Sequence, residues 1–386
     1  MVPGRFAKSA FLGALVIGAA GQLGFAQDSS GNKSWTATSE QGDVSGSTNR
    51  TRTTESHKES DGRSTDRTST QTLGPDGRYV PYQDIENQSV RVNDTTVRNT
   101  VRTFGRGPDG QRILVQEQQE ETRSLPDGGK KIVRTTSNPD ADGKLQVVQR
   151  ELSDSKQLSP GVRDTKTTIF SPDGSGGLAA SVQVDERESK GDGGIVNYKK
   201  STSLSDGAGH FALSEVREST TTPNGAQASS KEERVLRPDS DGKLALIERT
   251  VTHQSDAGGG EKRGTTETYS TNVPGQAGDE GLRLVQREST VQKTSANGQQ
   301  STVRQTARPN PGDPSAGLQV TQQAIDIVRT DANGVARQQS TIVTTDANGQ
   351  TNQVWVDMGK SDKPAPSQTP AQAPAKASPQ PAPTSK

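Results

Sequence analysis

The chain has 386 residues, with 46 Lys plus Arg set against 46 Asp plus Glu. That balance creates no whole-chain field to steer it towards nucleic acid or anionic lipid. Only 26% of its residues are hydrophobic and 3% aromatic, too few for a thick globular core. It also lacks cysteine, which excludes disulfides, thiolate zinc sites and a lipidated N-terminal cysteine.

The first stretch, MVPGRFAKSAFLGALVIGAAGQLGFA, has the parts of a secretory signal. Arg5 and Lys8 precede an apolar run from Phe11 to Ala20, and Gly24 and Ala26 are the small residues of a cleavage site. Residues 1–26 are therefore expected to be a signal peptide cut after Ala26, placing the mature protein in the periplasm or outside the cell. Residues 27–72 are mainly Ser, Thr, Gly, Asp and Arg, with Trp35 as a lone large side chain. Burial there cannot offset the entropy of ordering, so a disordered polar leader is expected, with at most a polar strand near its end.

From residue 73 to 358 a repeat of about 33 residues predicts an all-β fold of antiparallel hairpins, two strands per repeat. The unit is clearest in PDSDGKLALIERT, Pro238 to Thr250: a Pro/Asp/Gly turn, then leucines, then a charged pair. The first large apolar residue after each such turn falls at Tyr79, Ile113, Leu145, Leu178, Phe211, Leu244, Leu282, Leu318 and Val354. A second turn lies within each period, as in PDGG at Pro126 and PNG at Pro223, so about sixteen to eighteen strands are expected. Gly143 and Gly242 are expected at positive φ in their turns.

The strands do not keep one parity. Leu145 and Val147 are followed by Val148 and Leu152, and Leu318 and Val320 by Ile325 and Ile327. Either a bulge restores the face or the two strand ends bury opposite faces. Simple alternation from Leu244 puts Leu246 on its face and Ile247 and Val251 on the other. Adjacent opposite charges recur at Arg150/Glu151, Arg187/Glu188, Arg217/Glu218, Glu248/Arg249 and Arg287/Glu288, which predicts cross-strand charge ladders. With apolar residues on parts of each face, the hairpins are expected to run as an elongated, twisted array. Residues 359–386 form a Pro/Ala-rich tail, expected to be disordered.

Candidate chemistry is sparse. Asn138, Asp140, Asp142 and Gly143 have the spacing of half a calcium loop, but Gln149 stands where a bidentate Glu is needed, and turn geometry explains them. Ser153 and Lys156 satisfy Ser-x-x-Lys without a supporting motif. His57, His210 and His253 have no motif around them. No catalytic, cofactor-binding or metal-binding residue is assigned, no cofactor is expected, and the protein is read as a non-enzyme.

The turns of PDADGKL and PDSDGKL slightly resemble the YD-type repeats of large secreted bacterial proteins; the defining Tyr-Asp pair is missing, and no residue role is carried over. A membrane barrel is weighed against the charges that interrupt both faces, and a water-soluble β protein is expected. The reading is an exported, non-catalytic scaffold or binding protein of the envelope or extracellular space. Its expected partner is an envelope polymer, polysaccharide or protein meeting an extended polar surface, not nucleic acid, and no transmembrane segment is expected after signal cleavage. The alternative is a secreted carbohydrate-active enzyme or carbohydrate binder.

Overall fold

The structure, a computed structural model, describes residues 33–43, 50–225, 227–272, 281–295, 298–310, 313–330, 336–346 and 349–358. The proposed signal peptide and the Pro/Ala tail lie outside the described residues. Within them the chain forms twenty strands. The first ten are β1 Lys33–Asp43, β2 Thr51–Ser60, β3 Arg63–Leu73, β4 Tyr79–Asn93, β5 Thr96–Arg106, β6 Arg112–Ser124, β7 Lys130–Pro139, β8 Leu145–Ser159, β9 Val162–Pro172 and β10 Leu178–Lys190. The rest are β11 Val196–Ser205, β12 Phe211–Pro223, β13 Ala228–Pro238, β14 Leu244–Gly258, β15 Glu261–Ser270, β16 Arg283–Thr294, β17 Gln300–Asn310, β18 Asp313–Thr330, β19 Ala336–Thr345 and β20 Thr351–Met358.

Each strand pairs antiparallel with its neighbours in sequence, so the hairpin meander is as expected. Seventeen strands, β4 to β20, fall between residues 73 and 358, and Tyr79, Leu145, Leu178, Phe211 and Leu244 each begin one. Two expectations are corrected. The leader at 27–72 contributes β1, β2 and β3, whose Thr- and Ser-rich backbones are held by pairing with neighbours rather than by burial of large side chains. The open, elongated array is replaced by a ring, because β1 pairs with β20 over five residue pairs, from Ser39↔Met358 to Asp43↔Val354. Closure pairs part of both edges, which an open array would leave exposed along their whole length.

The parity change resolves as a bulge. Near the start of β4, β6, β8, β10, β12, β14, β16 and β18 one residue is skipped by the pairing: Tyr82, Val115, Val148, Ser181, Ser214, Ile247, Val285 and Thr321. All eight lie at one end of the ring, the bulged rim. Beyond a bulge the alternation restarts, so Leu145, Val147 and Leu152 share a face, as do Leu318, Val320, Ile325 and Ile327. The same device corrects the simple alternation in β14. Ile247 is the skipped residue, and Val251 joins Leu244 and Leu246.

Handedness decides which face looks outward. On a strand of L-residues seen running upward, a residue whose side chain faces the viewer points its N–H and C=O to the right. Leu73 N donates to Arg50 O at 2.8 Å, so from the Leu73 side β2 lies to the right of β3. Carried rightwards round all twenty strands, the pairings return to β3 about 22 residues nearer its N-terminus. A right-twisted closed sheet shows that downward offset only from outside, so the leucine face is the outer wall. The offset implies a strand tilt of about 37° and a ring about 38 Å across between backbones.

The outer wall has two zones. Next to the bulged rim, cross-strand partners are apolar, as in Leu73↔Tyr79, Phe104↔Leu114, Leu236↔Leu246 and Tyr269↔Leu284. This collar is about two rungs, or roughly 10 Å, deep. Pro139, Pro172, Pro238 and Pro309 stand in it opposite Leu145, Leu178, Leu244 and Leu318. Each lies beyond the last pair its strand makes with the preceding one, such as Glu117↔Ser137 or Val216↔Leu236. Its missing N–H therefore costs no ladder bond.

Away from the collar the outer wall mixes apolar residues such as Leu152, Val251 and Ile325 with charged pairs. Asp84 accepts from Arg106 at 2.6 Å, and Glu86 accepts from both Arg67 and Arg112. Arg102 meets Glu117 at 2.6 Å, Arg249 meets Glu232 at 3.1 Å and Arg287 meets Glu267 at 2.8 Å. Guanidinium groups also cover rings, Arg112 over Phe104 at 3.5 Å and Arg52 over Tyr79 at 4.0 Å.

Candidate functional site: the inner wall

The inner wall is made by the other parity of every strand, and it carries one member of each charged doublet. Glu218 faces out to Lys199 at 2.9 Å while Arg217 faces in to Glu215 at 2.6 Å. Arg187 faces out, 3.8 Å from Asp164, and Glu151 faces in to Arg134 at 3.0 Å. The doublets thus feed two ladders, one per face, because neighbouring residues on a strand point oppositely.

Three inner sectors are built from these pairs. Arg134 bridges Glu120 and Glu151. Glu215 holds Arg217 and Arg237, and Glu233 holds Lys231 at 3.0 Å. Asp326 accepts from Arg304 at 2.8 Å and from the hydroxyl of Ser340, which is 2% exposed.

The sector on β14, β15 and β16 is different. Thr252 and Thr266 hydroxyls meet at 3.1 Å. On the next rung Gly264 stands between Gln254 and Thr290, and beyond it Lys262 stands between Asp256 and Gln292. Gly264 has no side chain where the equivalent inner positions of β7, β9 and β13 carry Ile132, Thr165 and Lys231. A recess of about 620 Å³ opens there, lined by Thr252, Gln254, Lys262, Thr266, Glu288 and Thr290 among others. The repeat is broken at this glycine, which is the signal that could have found the recess from sequence.

The residues singled out from sequence are dispersed. Asp140 is a turn residue: its Oδ1 accepts from Asp142 N at 3.0 Å and Lys144 N at 2.9 Å, and its Oδ2 from Gln146 at 3.1 Å. Gly143 and Gly242 have φ of +77° and +76°, as expected. Asp239 repeats the motif, with Gly242 N donating to Asp239 O at 3.0 Å. Asn138 and Gln149 belong to β7 and β8, away from that turn. Ser153 faces inward and bonds Thr167 at 2.9 Å, whereas Lys156 faces outward opposite Asp164, so no Ser–Lys pair forms. His57 Nδ1 is 2.6 Å from Asp66, His210 Nδ1 is 3.2 Å from Asp206, and His253 lies on the outer wall opposite Thr265.

No protein-family model and no curated protein matches the chain. Among solved structures, two tryptophan-bearing mutants of the Rh. blastica porin align at 11% identity with TM-scores of 0.37 and 0.36, each over 85% of this chain and 99% of theirs. The copper transporter OprC aligns at 8% identity with a TM-score of 0.44, over 87% of this chain and 81% of its own. The expectation of a secreted structural scaffold or binding protein, with its carbohydrate-directed alternative, is corrected here. That reading rests on an open array offering an extended polar surface, and the strands instead close on themselves through β1 and β20. Among the described residues no helix is long and apolar enough to cross a membrane, which leaves strands untouched by that test.

Proposed function

We propose that the barrel is a water-filled conduit for polar solutes in the cell envelope. The observation that carries this reading is closure of a twenty-strand ring whose inner face is mostly polar, with scattered aliphatics such as Ile132 and Val235. Side chains reaching about 6 Å inward from a ring about 38 Å across leave an opening of roughly 25 Å that they cannot fill. Hydroxyls, amides and mutually neutralising Arg–Glu pairs line it, so the wall favours solutes that keep their hydration and selects only weakly by charge. No catalytic step belongs to this reading. The signal-like first stretch agrees with export to the envelope.

The outer wall limits how such a conduit is seated. A charged residue of the Arg–Glu ladders in the hydrocarbon midplane would cost roughly 2–4 kcal/mol. The collar by the bulged rim is therefore the part of the wall that meets lipid.

Ionic conductance of the purified barrel seated in a solid-state aperture tests the conduit without depending on lipid. An open-channel current that polymers thicker than the opening leave unblocked, and narrower ones reduce, is the expected result. A current no larger than leakage round a solid plug would overturn it.

A further inference from the structure

The ladders neutralise many carboxylates of the inner wall, and the one beside the Gly264 recess is not among them. Asp256 stands opposite Lys262, so those two charges offset each other. Glu288 has no such neighbour: its partners in register are Thr266 on β15 and Thr306 on β17. Its one hydrogen bond is from the Gln286 amide at 2.7 Å, and no cation lies within ion-pair distance of it among the described residues. By contrast Glu120, Glu151, Glu215, Glu233 and Asp326 on the same wall each hold an Arg or Lys.

We propose that the recess around Gly264 is a subsite for a small organic ammonium ion. The ammonium group takes the place of the missing cation at Glu288, and the hydroxyls of Thr266 and Thr290 with the Gln254 amide accept its remaining N–H bonds. Gly264 makes room for the carbon skeleton: a Cβ built there has nothing nearer than 3.8 Å, so the space is open and shallow. This inference rests on the inner wall being open to solvent, as the conduit reading has it, but needs no flow through the barrel.

The test is calorimetric titration of the intact protein with propylammonium, with glycerol as a neutral probe of similar size. Saturable propylammonium binding, lost at least tenfold in Glu288→Gln and in Gly264→Leu but kept in Gly264→Ala, is the expected result. Glu248→Gln, at an inner-wall carboxylate two strands away on β14, should leave it unchanged. Equal binding of glycerol, or equal loss in Glu248→Gln and Glu288→Gln, would overturn the subsite. Binding that follows the expected pattern in a barrel without conductance would keep the subsite and remove the conduit, whereas conductance without binding would do the reverse.

Discussion

The same twenty strands present two unlike walls. Outside, an apolar collar next to the bulged rim gives way to paired charges interspersed with residues such as Leu152 and Ile325; inside, charged and hydroxyl-rich sectors alternate round the ring with no collar of matching depth. Adjacent residues with almost identical sequence surroundings thus meet different environments, and the contrast teaches that the bulge, rather than composition, separates them. It lets one strand keep leucines outward on both sides of an irregularity that would otherwise send half of them inward.

The sharpest way to break this comparison uses the absence of cysteine. Ser201 faces out and Thr202 faces in, so Ser201→Cys and Thr202→Cys differ by one position and a whole wall. A maleimide carried on a polymer wider than the opening should label Ser201→Cys at least about 100-fold faster than Thr202→Cys, while a small maleimide labels both. Equal rates with the bulky reagent would show that the ring is open.

Deleting Ile247 attacks the bulge itself. Without it Leu246 is followed directly by Glu248, so the alternation runs unbroken, Leu244 and Leu246 stay outward, and β14 keeps its pairing with β13; only the local bend is lost, at a cost of roughly 0.5–2 kcal/mol in urea unfolding. A loss above about 4 kcal/mol would mean that the bulge also holds the neighbouring strands in register. Gly242→Val should cost more than about 1 kcal/mol, because a β-branched residue resists the +76° φ of that turn. Native-state hydrogen exchange should place that loss in β13 and β14, leaving distant hairpins protected.

The ladders sharpen the comparison more gently. Glu215→Gln inside and Glu232→Gln outside should each cost about 0.2–1 kcal/mol, shrinking as salt is raised. A clear difference in their salt dependence would reveal unequal solvent access to the two walls.

The smallest effect is that of the turn aspartates. Hydrogen bonds from Gln146 and from Lys144 N hold Asp140 below the usual carboxylate range, those from Ser175 and Gly177 N do so for Asp173, and those from Ala208 N and His210 N for Asp206. A depressed carboxyl pKa contributes stability that is fully present above the unfolded value near 4 and is lost as pH falls through the folded value. Acid titration should therefore loosen the bulged-rim turns below about pH 4, and Asp140→Asn should remove part of that dependence.

Much of the fold was legible because its signals are local. Turn chemistry at Asp140 and Asp239 and alternation from each leucine marked the strands and their count, and the parity change at Val148 announced a bulge or a turnover of faces. Closure was not legible, since Gln41 and Val356 pair across almost the whole chain and nothing in either strand names the other. The leader misled for a related reason: Thr- and Ser-rich strands such as β2 bury little, and their order comes from the ladders on both sides. The recess was hidden because its marker is a missing side chain. Gly264 in EKRGTTET resembles a weak strand residue until register shows what its neighbours carry.

The short seam between β1 and β20 bears on how the molecule reaches its final form. Every other pairing joins strands that neighbour one another in sequence and can zip as a local hairpin, at a small entropic cost for each added turn. The seam joins residues more than three hundred apart, so its formation is a single, late, long-range event made with the weakest strand overlap in the ring. Until it forms, the chain carries two unpaired edges at once, and that interval is when it is most open to pairing with another copy of itself. Moving the chain ends to another hairpin, for instance between Pro160 and Gly161, would turn the seam into a local contact and shorten that interval.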